Sequence, residues 1–138
     1  LMNNFRNSFI SYLSIRNPIL ISFFSITYSC LVFLSPSNAY AGIEDEIIES
    51  ISAAMDSSVR DNHRLAINLS NRALRLLNEI DYLESEFAAM AYDVRGYSKH
   101  MLGDNRAACK DFKKITSLGS FIPQESKEDA AYWIKKVC

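Results

Sequence analysis

The chain has 138 residues, with 15 Lys and Arg against 16 Asp and Glu, and 49% of it is hydrophobic. That length suits one domain, the near-neutral charge leaves no electrostatic footprint for nucleic acid, and the apolar content is too high for disorder. Only four Gly and three Pro, with no alternating Val/Thr-rich runs, argue against a sandwich or a barrel.

The charges are unevenly placed. Every acidic residue lies at or after Glu44, and the residues before it carry only Arg6 and Arg16. Residues 1–41 read as an export leader. Leu1–Asn17 is a polar, basic start, and Pro18–Leu34 follows with 17 residues free of charge, 12 of them Ile, Leu, Val, Phe, Tyr or Cys. Ser35-Pro36 then breaks any helix. Ala39-Tyr40-Ala41 is the small-x-small pattern that a signal peptidase accepts, because its pockets admit only small side chains. Cleavage is expected before Gly42. The alternative is a retained membrane anchor, for which a run of 17 is at the lower limit for crossing about 30 Å of hydrocarbon. Cys30 follows Thr27-Tyr28-Ser29 inside the apolar run, which does not fit a lipid-attachment site.

The remainder, Gly42–Cys138, has 97 residues, 13 basic and 16 acidic, net −3. It divides into five segments with the helical period. Ile43–Ser57 repeats Ile43, Ile47, Ile48, Ile51, Ala54 and Met55. Asp61–Ile80 carries Ala66, Leu69, Ala73, Leu76, Leu77 and Ile80. Glu84–Leu102 is preceded by Leu83 and places Phe87, Met90, Val94, Tyr97 and Met101 at 4-3-4-3-4 spacing. Asn105–Leu118 gives Ala108, Phe112, Ile115 and Leu118, and Gln124–Val137 gives Ala130, Trp133, Ile134 and Val137. Each stripe occupies one face, so the helices must pack on one another to be stable. Gly103 suits a left-handed helix stop, Asp104 the cap of the next helix, Gly119 another stop, and Pro123 a helix start. Asp61 or Asn62 can cap the second helix. The expectation is an all-α array of antiparallel helical hairpins.

A repeat is visible at an offset of 42 residues. Ala66 falls on Ala108, Ala73 on Ile115, and Asp61-Asn62-His63-Arg64 matches Asp104-Asn105-Arg106. The segment Ala91–Lys114 is more specific. Tyr92, Arg95, Gly96, Lys99, Leu102, Gly103, Asp104, Ala108, Asp111 and Phe112 stand at the spacing of Tyr-x-x-Arg-Gly-x-x-Lys-x-x-Leu-Gly-Asp followed by Ala and then Asp-Phe. This resembles a tetratricopeptide repeat. The resemblance is good over about 24 residues, extends in weaker form over Asp56–Cys138, and is faint before that. It implies an α-solenoid fragment of about two repeats with a capping helix. Gly96 and Ala108 would be close-approach positions, Tyr92 and Phe112 would fill the space between hairpins, and Leu102-Gly103-Asp104 would make the reversal. An offset of 42 exceeds the usual repeat of about 34, which requires a longer helix or an unusual turn around Asn78–Glu86. The first repeat also lacks Leu-Gly-Asp and has Ser70 where an aromatic is usual.

The family has a common ending in which Cys follows the small Ala and Cys closes the last helix, and Cys109 and Cys138 fit it. Export would leave only these two cysteines, in a compartment where disulfides persist. Antiparallel packing of the last two helices puts the start of one beside the end of the other, so a Cys109–Cys138 disulfide is expected.

No catalytic, cofactor or metal site is expected. Nucleophile elbows and Gly-rich phosphate loops are absent from the sequence, and His63 and His100 have no ligand-type residue at metal spacing. Glu44-Asp45-Glu46 and Glu125…Glu128-Asp129 serve as charge at helix N-termini. In the family the first helix of each hairpin lines a concave surface that holds peptides or partner helices. Here that lining would be Met90, Asp93, Tyr97, His100 and Met101. Asp93 and Tyr97 stand where carboxylate-binding members carry Lys and Asn, so the resemblance does not extend to a carboxylate clamp. A Met, Tyr and His surface suits an adaptable contact with a protein segment. Two readings follow: an exported adaptor or assembly factor of a periplasm, lumen or extracellular space, or a membrane-tethered structural subunit with its leader retained.

Overall fold

Why the helices begin and end where they do is written in their caps. The computed structural model describes residues 37–120 and 122–138, and the expected leader helix Pro18–Leu34 lies outside them. Among the described residues there are five α-helices and no strand: α1 Ser37–Val59, α2 His63–Glu79, α3 Glu86–Met101, α4 Asn105–Ser117 and α5 Gln124–Val137. α5 lies where the apolar period puts it, and α2 to α4 differ from expectation by one or two residues at their ends. α1 is the exception, beginning at Ser37 rather than Ile43. Beyond Pro36 nothing blocks a helix, and Gly42 inside it costs only about 1 kcal/mol.

Three helices stop in the same way. Asn62 N–H donates to the Ser57 carbonyl, Tyr82 N–H to Leu77, and Asp104 N–H to Lys99, each reaching back five residues. In every case the residue before that donor is left-handed: Asp61 (φ 60°), Asp81 (φ 54°) and Gly103 (φ 83°). This 6→1 bond satisfies a carbonyl that the helix end would leave unpaired. The next helix then starts on a side-chain cap. Asn62 accepts from the Leu65 N–H at 3.4 Å, and Asp104 from the Ala107 N–H at 3.0 Å. The turns at 61–62 and 103–104 are therefore the same device, although only the second contains Gly. α2 has 17 residues against 13 in α4, and the connection over 80–85 joins it to α3. That connection holds left-handed Asp81 and ends on Ser85, whose hydroxyl accepts from the Ala88 N–H at 3.2 Å.

Each helix packs on the next, and α1 also packs on α3 and α3 on α5. The tight turns after α1 and α3 reverse the chain, so α1 and α2, and α3 and α4, pack antiparallel. Arg72 in α2 reaches back to Glu46 in α1, and Arg95 and Lys99 late in α3 reach Asp111 in the middle of α4. Across the α1–α3 contact, by contrast, late meets late: Ser58 Oγ and Ser98 Oγ lie 3.2 Å apart, both buried.

Small residues set these distances. α3 buries Ala88, Ala89, Ala91, Gly96 and Ser98, so all four other helices can close on it. A Cβ on Gly96 would meet Phe112 Cζ at 3.0 Å and Asp111 Cβ at 3.3 Å. Gly96 is thus a close-approach position, and Ala108 is fully buried in the cluster of Phe112, Ile115, Leu118, Ile122, Ala130 and Val137. Tyr92 packs on that cluster from its edge. The second buried group joins α1, α2 and α3 through Ala54, Ala66 and Val94.

Candidate functional site

The Arg-x-x-x-Lys of α3 and the Asp of α4 form a polar knot in the hairpin between them. Arg95 Nε and Nη2 donate to the two Asp111 oxygens at 3.0 and 2.7 Å, Lys99 Nζ adds a third bond at 2.8 Å, and Arg95 Nη1 reaches Asn71 on α2 at 2.7 Å. The guanidinium also lies 5.2 Å from the Tyr92 ring centroid. Asp111 is 5% exposed, so its carboxylate has exchanged water for this complete set of donors. Arg95 and Lys99 are one helical turn apart, which places both on the face toward α4. The arrangement ties α2, α3 and α4 together. Its chemistry is structural.

A group of aromatic side chains from α2, α3, α4 and α5 gathers around Trp133. Trp133 is the hub. It stacks on Phe112 at 5.6 Å and 9° between planes, and takes Tyr97, His100 and Tyr132 at 5.5, 5.5 and 5.6 Å. Lys136 Nζ lies 4.7 Å from its ring centroid. His63 extends the set by meeting Tyr97 edge-on at 6.1 Å. His63 is buried, with Nδ1 unpartnered and Nε2 3.7 Å from an Asp61 oxygen. His100 is anchored instead, its Nδ1 lying 2.7 Å from Asn105 Oδ1.

Of the five residues expected to line a partner surface, Met90 is buried at 5% exposure and presents nothing to a partner. Tyr97 and His100 are half-buried against Trp133, and Met101 is exposed. Asp93 is half-buried, and burial, with the Asp129 carboxylate of α5 second, pushes its pKa up to about 7. Asp129 is itself raised, by its partial burial first and by Glu125 next. Tyr92 is raised by burial, against the lowering effect of Arg95.

In the sequence Trp133 falls in the core stripe of the last helix, and Arg95, Lys99 and Asp111 only match a repeat pattern. The signal for the polar knot was present: two cations one turn apart, followed by an acid in the next helix of the same hairpin. The signal for the aromatic face was not, because it joins residues from helices far apart in sequence.

Cys109 and Cys138 are disulfide-bonded, with Cα atoms 5.3 Å apart, and they tie the start of α4 to the last residue of the chain. Among the described residues no group of three or more His, Cys, Asp or Glu side chains is placed to hold a metal ion. No described helix is long and apolar enough to cross a membrane. The chain matches no protein-family model, no curated protein and no solved structure.

Proposed function

We propose that residues 42–138 are a tetratricopeptide-like, non-catalytic interaction module of an exported protein, presenting the face built from α3 and α5 to a protein segment. The carrying observation is the alternation of contacts: α1, α3 and α5 touch in a row, whereas α2 and α4 touch only their neighbours in sequence. An inner row of first helices and an outer row of second helices is the arrangement that gives repeat arrays a concave binding side. On that side Asp93, Tyr97, His100, Tyr132 and Trp133 supply an aromatic surface with one carboxylate, of the kind that contributes strongly at interfaces. The Cys109–Cys138 bond is consistent with an oxidising compartment.

Affinity capture with the tagged, oxidised chain tests the reading. A partner should be retained by a Lys113→Glu control on α4. Recovery should fall at least about tenfold with His100→Glu combined with Tyr132→Glu, as expected when anchor side chains are lost. Equal recovery by both variants would refute the face. The tethered alternative draws support from one feature, the unbroken run of α1 through Ala39–Gly42, which offers a peptidase no extended strand. Intact mass separates the two: a product starting at Gly42 favours the released module, and one that keeps residues 1–41 favours the tethered subunit.

A further inference from the structure

We infer that the protein segment received by the α3–α5 face carries an arginine, whose guanidinium sits between Asp93 and Asp129 with its stem along Tyr97 and Trp133. The inference rests on the reading of that face as a binding surface and names what the face selects. Asp93 and Tyr97 are four residues apart on α3, and so are Asp129 and Trp133 on α5, so each pair shares one side of its helix. Tyr97 meets Trp133 edge-on, with ring centroids 5.5 Å apart, and Asp93 feels the Asp129 charge across the same contact. The two helices thus present a rung of carboxylates and, one turn further on, a rung of aromatic rings. All four side chains are half-buried, so the rungs are enclosed but open to a visitor.

The carboxylate rung has no counter-ion. Neither Asp93 nor Asp129 makes an ion pair or a side-chain hydrogen bond among the described residues. Asp111 is the contrast, a buried carboxylate that takes three bonds from Arg95 and Lys99. Burial pushes the Asp93 carboxyl up to about 7, the Asp129 charge adds to that, and no cation acts in the opposite sense. The basic residues of the two helices are engaged elsewhere or turned away. Arg95 and Lys99 are spent on Asp111, and His100 is held by Asn105. Lys127 and Lys135 stand about 200° and 240° round α5 from Asp129.

The aromatic rung supplies an independent sign of the same chemistry. Lys136 Nζ lies 4.7 Å from the Trp133 ring centroid, so this ring already receives a cation. Lys136 is exposed and stands two turns beyond Asp129, from where it leaves the carboxylates unpaired. A guanidinium meets both rungs at once. It is planar, donates along two edges to carboxylates, is weakly hydrated and packs on aromatic rings. An acidic segment would add a third negative charge, and an apolar one would cover both carboxylates without pairing them.

Trp133 is the only tryptophan in the chain, so its emission reads this site alone. The oxidised full chain is titrated with a short peptide of repeated Gly-Ser-Arg, and with the same peptide carrying citrulline, a neutral isostere, in place of arginine. A saturable change in emission is expected with the arginine peptide, with a midpoint at least about tenfold lower than with citrulline. Asp93→Asn combined with Asp129→Asn should raise that midpoint at least about tenfold. Glu44→Gln combined with Asp45→Asn removes the same charge from exposed places on α1 and should leave it unchanged. Circular dichroism checks that the variants keep their helices, and the citrulline comparison needs no variant. Equal midpoints for the two peptides, no change with either, or an undiminished response after the Asp93 and Asp129 substitutions overturns the proposal. So does an equal loss in the α1 control. The face is judged separately. A partner captured after the Asp93 and Asp129 substitutions as well as before them, but lost with His100→Glu and Tyr132→Glu, keeps the face and overturns the arginine.

Discussion

Gly96 shows how a single atom sets the hairpin. With Phe112 Cζ 3.0 Å from where its Cβ would stand, Gly96→Leu has no room for its side chain and forces a fully buried ring to move. The expected cost is about 1–3 kcal/mol, read as a lower midpoint in thermal or urea unfolding. Ser70 is the opposite case. It is fully buried with an unpartnered hydroxyl, so Ser70→Ala removes an unmet hydrogen-bonding group at almost no change in shape. Stability should rise by about 1 kcal/mol, and a loss would show that the hydroxyl has a partner in solution. Asp93 gives a pH signature. Its carboxyl titrates near 7 in the fold against 3.8 in the unfolded chain, so between those values the folded state holds a proton that the unfolded chain has released. Its contribution is fully present below the lower value and is lost as pH rises through the higher one. The melting temperature should therefore fall between pH 5 and pH 8, and Asp93→Asn should flatten that fall. An unchanged slope in the variant would exclude Asp93 as the source.

Between elements, α3 and α4 are joined by apolar contact on one side and by the Arg95–Lys99–Asp111 knot on the other. Each lost member leaves part of the Asp111 carboxylate unpaired, because it is nearly out of reach of water. Arg95→Leu should cost about 2–3 kcal/mol, less than the about 3–5 kcal/mol of a buried charge stripped of all partners, since Lys99 still reaches the carboxylate. Arg95→Lys should recover little, because an ammonium cannot make the paired bonds to both oxygens and the third to Asn71. Urea unfolding of the two variants measures both statements; a full rescue by Lys would show that charge alone matters. The shared left-handed stop at Asp61, Asp81 and Gly103 is the other device at this scale. Asp tolerates that conformation better than most side chains, which is how a turn without Gly copies one with it.

For the molecule as a whole, the weak point is the end of the chain. α5 packs mainly on α4 and barely on α3, begins at Pro123 without a side-chain cap, and follows a loop rather than a tight reversal. The disulfide compensates by closing a loop with 29 residues of separation. In the chain-entropy model that constraint contributes about 3–4 kcal/mol. Cys138→Ser should lower stability by that order, and hydrogen exchange should then show α5 opening before the other helices. Uniform destabilisation without early release of α5 would mean that the bond acts on the unfolded chain alone.

The helices, their order and most of their ends were legible in the sequence, because a 3.6-residue stripe, a cap and a stop are local properties. So was the cysteine pair, since two antiparallel neighbours place the start of one beside the end of the other. Gly96 was readable as a contact position only through the resemblance of Ala91–Lys114 to a repeat pattern, and a Cβ there would crowd Phe112. The face around Trp133 was decided only in three dimensions. Tyr97, His100, Phe112 and Trp133 come from three helices, and no local period records which of them meet. Tertiary packing likewise turned Met90 of the expected partner lining inward and buried His63 at the start of α2. Burial depends on what a neighbouring helix covers, and that is settled by the close approach that small residues on α3 allow, not by the residue that ends up covered.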